Sequence, residues 1–208
     1  MPINSNRLNI FRYSIYAPTY SWSAKLLNDS RRRSLALLNV KPGEKVLIIG
    51  AGTGLDLDHL PIGSHITATD ITPAMVRRIK KRNMKLNHQL STAVMDGQSL
   101  SYSDHTFDKV ILHLILTVIP DPAKTLQEAE RVLKHGGQAV VFDKFIPNGQ
   151  KASFIRQFFN LFTNLMFSSL TLSFDKILAH TRLKIVHDFN INFKSYFRII
   201  LLEKQPSV

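Results

Sequence analysis

The 208-residue chain contains no cysteine. That excludes disulfide staples, thiolate metal centres and cysteine nucleophiles, and it fits a reducing compartment. Long apolar runs are also missing. The longest, Val110 to Ile119, is broken by His113 and Thr117, and it falls short of the roughly 18 residues of a membrane span. The opening residues, Met1 to Arg7, lack the apolar stretch of a secretory leader, so the expected location is the cytoplasm. Acid is scarce: 15 Asp and Glu stand against 27 Lys and Arg, a net charge of +12.

The charge is not spread evenly. Residues 1–45, 71–90 and 144–208 each carry +6, whereas 46–70 and 91–143 each carry −3. Residues 71–90 hold six basic side chains and no acid. A basic exterior around two acidic stretches points to a polyanionic partner, either nucleic acid or an anionic membrane. A solvated surface on a basic protein is the plain alternative.

The acidic stretches carry the most informative pattern. Val46-Leu-Ile-Ile-Gly50-Ala-Gly52-Thr-Gly54 reads as a buried strand running into a glycine turn. Glycine lets the backbone bend sharply and approach a ligand closely. Twenty residues after Gly50, Asp70 closes a second apolar run, His65-Ile-Thr-Ala-Thr-Asp70. A carboxylate at that offset reaches a ribose diol. The spacing is G-x-G-x-G rather than the dinucleotide form G-x-G-x-x-G, and Asp56 and Asp58 follow in the expected first helical turn. Two acids there disfavour a pyrophosphate and suit a ligand with a positive centre and no phosphate.

Along the chain, strands are expected at 45–50, 65–70, 91–95, 108–113 and 138–143. They alternate with helices at 73–88 and 122–134, the latter stopped by His135-Gly-Gly137. Thr72-Pro73 and Asp121-Pro122 read as N-cap and first helical residue. This alternation predicts a parallel, doubly wound α/β sheet. A helix over 20–38 precedes it, and two strands, 183–190 and 196–203, close its far edge. Residues 153–170 are amphipathic at helical period, with Phe154, Phe158, Phe159 and Phe162 on one wide face. They read as a helix packed on the sheet, or as an interfacial helix or wall of an acyl-chain groove.

These motifs resemble motif I and its successors in the class I S-adenosylmethionine (SAM) methyltransferases. Tyr13-Ser-Ile-Tyr16-Ala-Pro-Thr-Tyr20 is similar to a Y-A-P-x-Y-D box of a subset of them. Together with "DITPAM", "MDGQSL", "IPDP" and "RVLKHGG", the chain resembles the soluble bacterial phosphatidylethanolamine N-methyltransferases and the related quinone methyltransferases over roughly 12–204. The resemblance implies a Rossmann-like, doubly wound seven-stranded sheet with an N-terminal helical segment and a C-terminal lid helix. The expected organisation is a cap over 1–44, a SAM-binding core over 45–145, and a lid with closing strands over 146–208.

The resemblance also implies site residues. The cofactor is expected at Tyr20, Gly50, Ala51, Gly52, Thr53, Gly54, Asp70, Ile71, Met75, Asp96, Gly97, Gln98 and His113, with the Asp96 carboxylate accepting the adenine amine. Tyr16, Tyr20, His113 and Asp143 are the candidate proton acceptors or relays, since an ethanolammonium must lose a proton before it attacks. No metal is expected. Two positions depart from the family pattern. Ile48 stands where an acid usually lies two residues before the first glycine of motif I, so either Asp56 or backbone carbonyls take over the cofactor's amino group, or the cofactor is bound more weakly. Ser21 replaces the aspartate after the second box tyrosine.

The expected activity is N-methylation of phosphatidylethanolamine towards phosphatidylcholine by a protein held peripherally at the inner membrane face. Docking is expected through Arg31–Arg33, the 77–85 cluster and the 153–170 helix. A quinone or other small apolar acceptor is the alternative. An RNA methyltransferase lacks an N-P-P-Y-like motif here, and a non-catalytic SAM-binding protein draws only on Ile48 and Ser21.

Overall fold

The computed structural model describes residues 27–145, 172–191 and 197–206. The 20–26 part of the expected first helix, the Tyr13–Tyr20 box and the whole 153–170 stretch lie outside them.

Five strands run parallel: β1 (Lys45–Ile49), β2 (His65–Asp70), β3 (Gln89–Val94), β4 (Phe107–His113) and β5 (Leu133–Lys144). Two more, β6 (Leu183–Asn190) and β7 (Phe197–Lys204), pair antiparallel, β7 with β5 and β6 with β7. The order is β3-β2-β1-β4-β5-β7-β6. The seven-stranded Rossmann-like sheet expected from the sequence is therefore present. Because the closing strands pair with β5, the sheet is continuous across the 145/146 boundary.

The core lies on both faces of this sheet. On one, Leu47, Val110, Leu112 and Val141 pack against α3 (Pro122–Val132) and the short α4 (Phe174–Leu178). On the other, Val46, Ile48, Ile111 and Phe142 pack against α1 (Asn28–Leu38) and Ile79 of α2 (Pro73–Leu86). Strands buried on both faces read as continuous apolar runs, which is how Val46–Ile49 and Val110–Leu112 stand in the sequence.

Two local expectations are corrected. The glycine turn leads not into a full helix but into a 3-10 turn, Leu55–His59. Thr72 is the N-cap of α2 and Pro73 its first residue, as expected; the Thr72 backbone N–H donates to the Asp70 carboxylate at 2.8 Å. His135-Gly-Gly137 does not stop α3, which ends at Val132 and passes directly into β5. Leu133 already pairs with Phe107. The Lys204 ammonium donates to the carbonyls of Glu130 and Leu133, at 2.6 and 2.8 Å, satisfying acceptors that a longer helix would have used.

Candidate active site

In an open α/β sheet, ligands bind beyond the carboxyl ends of the strands where the order reverses. Here that point lies between β1, whose next strand in sequence is beside it on one side, and β4 on its other side. A cleft of about 850 Å³, measured out to open solvent, occupies it. Gly50, Ala51, Gly52 and Thr53 form its floor.

Gly50 and Gly52 have φ of +66° and +56°, a region in which a side chain is strained. A Cβ on Gly50 would meet Ile115 Cδ1 at 2.5 Å, whereas one on Gly52 would meet nothing within 4 Å. The first glycine makes room for the cleft wall and the second leaves the floor open to a ligand.

Asp70, at the end of β2, lines the cleft and fixes its floor. Its carboxylate accepts from Gly52 N at 2.9 Å and Thr72 N at 2.8 Å. Burial pushes this carboxyl up, partly offset by those backbone donors. Asp96 and Gly97, after β3, line the same cleft, as do Ile71 and Met75. Gln98 stands behind them. Its side-chain amide donates to Asp96 Oδ1 at 3.0 Å and its carbonyl accepts from Asp121 N at 2.9 Å. It holds Asp96 in place rather than facing the cleft. Gly54 also lies behind the floor, with Ile79 3.4 Å from where its Cβ would stand.

The other end of the cleft holds a buried polar chain. Arg31 Nη1 donates to Asp56 Oδ1 at 2.7 Å. His113 Nδ1 lies 2.7 Å from the same oxygen, and its Nε2 lies 2.9 Å from Ser34 Oγ. Burial alone would raise the Asp56 carboxyl, but the charges of His113 and Arg31, with their hydrogen bonds, hold it well below the usual carboxylate range. A carboxylate acceptor assigns the proton to His113 Nδ1. With both ring nitrogens engaged, His113 is a fixed element of the cleft wall.

Two sequence readings change here. Arg31, expected to face a membrane, is 5% exposed and paired inside the cleft. Helical period carried the signal: Arg31 lies on the same stripe of α1 as Leu35 and Leu38. Asp143, expected on the rim, is 0% exposed and is not among the cleft-lining residues. Its carboxylate accepts from Thr117 N and Oγ1 at 3.1 and 2.7 Å and from Lys144 N at 2.8 Å. Burial raises it, those donors partly offsetting the effect. It braces the turn after β4 that presents Ile115, Val118 and Ile119 to the cleft, apolar wall residues that the strand pattern did not single out. Tyr16 and Tyr20 lie outside the described residues.

A glycine-floored cleft at the switch point of a seven-stranded α/β sheet, with acids at the ends of β2 and β3, defines a protein of the Rossmann-like, nucleoside-cofactor-binding class. Residues 47–141 match the methyltransferase domain family. That stretch holds the open glycine floor and the acid-ended strands, and these fit S-adenosylmethionine as the cofactor.

Relatives include enzymes of two kinds. A phosphatidylethanolamine N-methyltransferase of Cereibacter sphaeroides is 26% identical over 199 residues, 93% of this chain and 95% of that protein. A demethylmenaquinone methyltransferase of Corynebacterium efficiens is 36% identical over 118 residues, but only 56% of this chain and 49% of that protein. Among solved structures, a SAM-dependent methyltransferase from Aquifex aeolicus superposes with a TM-score of 0.62 at 15% identity, over 83% of this chain and 88% of that one. The [4+2]-cyclase SpnF does so with a TM-score of 0.67 at 16% identity, over 85% and 81%. At such identities the structures share the fold alone.

Proposed function

We propose that this methyltransferase acts on the amine of phosphatidylethanolamine at an anionic membrane surface. The observation that carries this reading is length. The match to the phosphatidylethanolamine enzyme runs through nearly all of both chains, including the segments outside the common core. Surface charge supports it. Among the described residues, α2 exposes Arg77, Lys80, Lys81 and Lys85. Residues 71–90 contain no acid to offset them.

When bound, SAM supplies a methyl group on a positively charged sulfur, open to in-line displacement. The chain's own residues then align and enclose. Asp70 takes the ribose hydroxyls, and Asp96 and Gly97 receive the adenine. Ile115, Val118 and Ile119 keep water from the reacting atoms. The ethanolammonium proton leaves by relay, the hydroxyl of Tyr16 or Tyr20 accepting it while giving its own proton to solvent, because His113 is committed at both nitrogens and Asp143 is turned into the core. The same tyrosine faces hold the methylated cation.

The test is incubation with methyl-labelled SAM and vesicles of phosphatidylethanolamine and phosphatidylglycerol, followed by lipid separation. Label in mono-, di- or trimethylated ethanolamine lipid is expected. No label, with SAM binding shown separately by calorimetry, would overturn the lipid assignment. A second reading, methylation of a quinone ring, is favoured by the higher identity of the demethylmenaquinone enzymes over the core. It predicts label in quinol extracts instead.

A further inference from the structure

We propose that Arg31 and Asp56 together hold the amino-acid end of the cofactor, Arg31 taking its carboxylate and Asp56 its ammonium. This assignment does not depend on the identity of the methyl acceptor.

The order of strands sets the direction of the ligand. The cleft runs across the ends of β3, β2, β1 and β4. Asp96 follows β3 and Asp70 ends β2, so the two acids suited to a base and a ribose stand at one end. The remaining ligand length lies over the Gly50–Gly52 floor and reaches the end of β4. There the cleft is lined by Arg31, Asp56 and His113.

The chemistry at that end is complementary to a zwitterion. An α-amino acid carries one positive and one negative group on a single carbon. Its recognition site must present both signs a few ångströms apart. Arg31 is the one Lys or Arg side chain among the described residues that line the cleft. It stands 2.7 Å from Asp56, whose carboxylate stays ionised because His113 and Arg31 flank it. A guanidinium offers a planar fork that matches a carboxylate, and the pairing is strongest where water is excluded. The Arg31 and Asp56 side chains are 6% and 3% exposed.

The position of Ile48 supports the same conclusion. The motif resemblance leads one to expect an acid there. Ile48 instead is 1% exposed in the core cluster with Leu35, Leu38 and Phe142, and it does not line the cleft. The acid for the ammonium therefore comes from the 3-10 turn, and its counter-cation comes from α1. Ser34 and His113 act as positioning residues, since the Ser34 hydroxyl and Asp56 fix the two ring nitrogens and so the face that Asp56 presents.

The experiment is calorimetric binding of two ligands to the full chain. S-adenosylhomocysteine carries the amino-acid end, and 5′-methylthioadenosine is the same nucleoside thioether without it. The variants are Arg31→Gln, Arg31→Lys and Asp56→Asn. Affinity for S-adenosylhomocysteine is expected to fall about tenfold or more in Arg31→Gln and Asp56→Asn. Affinity for 5′-methylthioadenosine is expected to stay within about twofold, which also reports a folded cleft. Arg31→Lys keeps the charge and loses the fork, so an intermediate loss confined to S-adenosylhomocysteine is expected, and this variant carries the test if the glutamine variant does not fold. Equal losses for both ligands would make the pair a purely structural tie between α1 and the core. An unchanged affinity for S-adenosylhomocysteine would also overturn the proposal.

Discussion

Asp70 and Gly52, 18 residues apart, are joined by a 2.9 Å hydrogen bond from the glycine N–H to the carboxylate. The acid that ends β2 thus holds the floor of the cleft at the end of β1. Its backbone bonds to Gly52 and Thr72 leave further lone pairs on the carboxylate.

Asp70→Ala is therefore expected to weaken SAM binding by at least about tenfold, or about 1.4 kcal/mol. In the wild-type chain, SAM binding is expected to be full where Asp70 is ionised and to decline as the pH falls through its raised pKa. Because burial raises that pKa, the decline begins at a higher pH than an exposed aspartate would give. Calorimetry across a pH series measures both.

Two glycines a residue apart should respond differently to alanine. Gly50→Ala places a methyl 2.5 Å from Ile115 Cδ1 at φ +66°, and is expected to cost about 1–3 kcal/mol of stability. Gly52→Ala meets no atom within 4 Å, so its cost is the backbone strain alone, about 1–2 kcal/mol. Its methyl enters the space the cofactor needs, and SAM affinity is expected to drop further than stability. Denaturant melts beside binding isotherms separate the two effects.

Asp56 makes the fold acid-sensitive. Its carboxyl is held below its usual range by His113 and Arg31, against burial. A carboxyl depressed in the folded state contributes stability above its unfolded pKa, and loses it as the pH falls. Asp56→Asn is expected to flatten the stability profile between about pH 5 and pH 3. At neutral pH it is expected to cost about 3–5 kcal/mol, because Arg31 is left buried without its partner carboxylate. Urea denaturation at several pH values gives the comparison.

Membrane docking, if it follows the proposed function, should use α2 rather than the arginine run of α1. Arg31 is buried, and Arg32 and Arg33 both pair with Asp29. Replacing Arg77, Lys80, Lys81 and Lys85 with glutamine is expected to weaken binding to anionic vesicles by about 1 kcal/mol per residue at low salt. The difference should shrink as salt rises. Vesicle sedimentation reads both. Replacement of Arg32 and Arg33 is expected to change binding by less.

Much of the frame is legible in the sequence. The glycine turn and the acid 20 residues beyond Gly50 stand where expected, at the ends of β1 and β2, because both are local in sequence. β1 to β4 stand within two residues of their expected bounds, since period-two and apolar-run patterns record which faces are buried. The end of α3 departs from its local signal. A glycine pair is a common stop signal, but here Lys204, some 70 residues later, supplies the cap.

The α/β alternation, the glycine turn and the acids at the strand ends follow from local order in the chain. These depend on neighbours a few residues apart. Tertiary structure alone decided which charges face the cleft. Arg31 meets Asp56 across 25 residues, and His113 meets Ser34 across 79. Those contacts exist because α1 packs against the 3-10 turn and β5. Asp143 went the other way, since the face of β5 that carries it turns into the core, where the Thr117 turn supplies its donors. Whether a charged side chain binds ligand, solvent or its own fold depends on which face packing buries, and that is fixed by contacts that no local pattern contains.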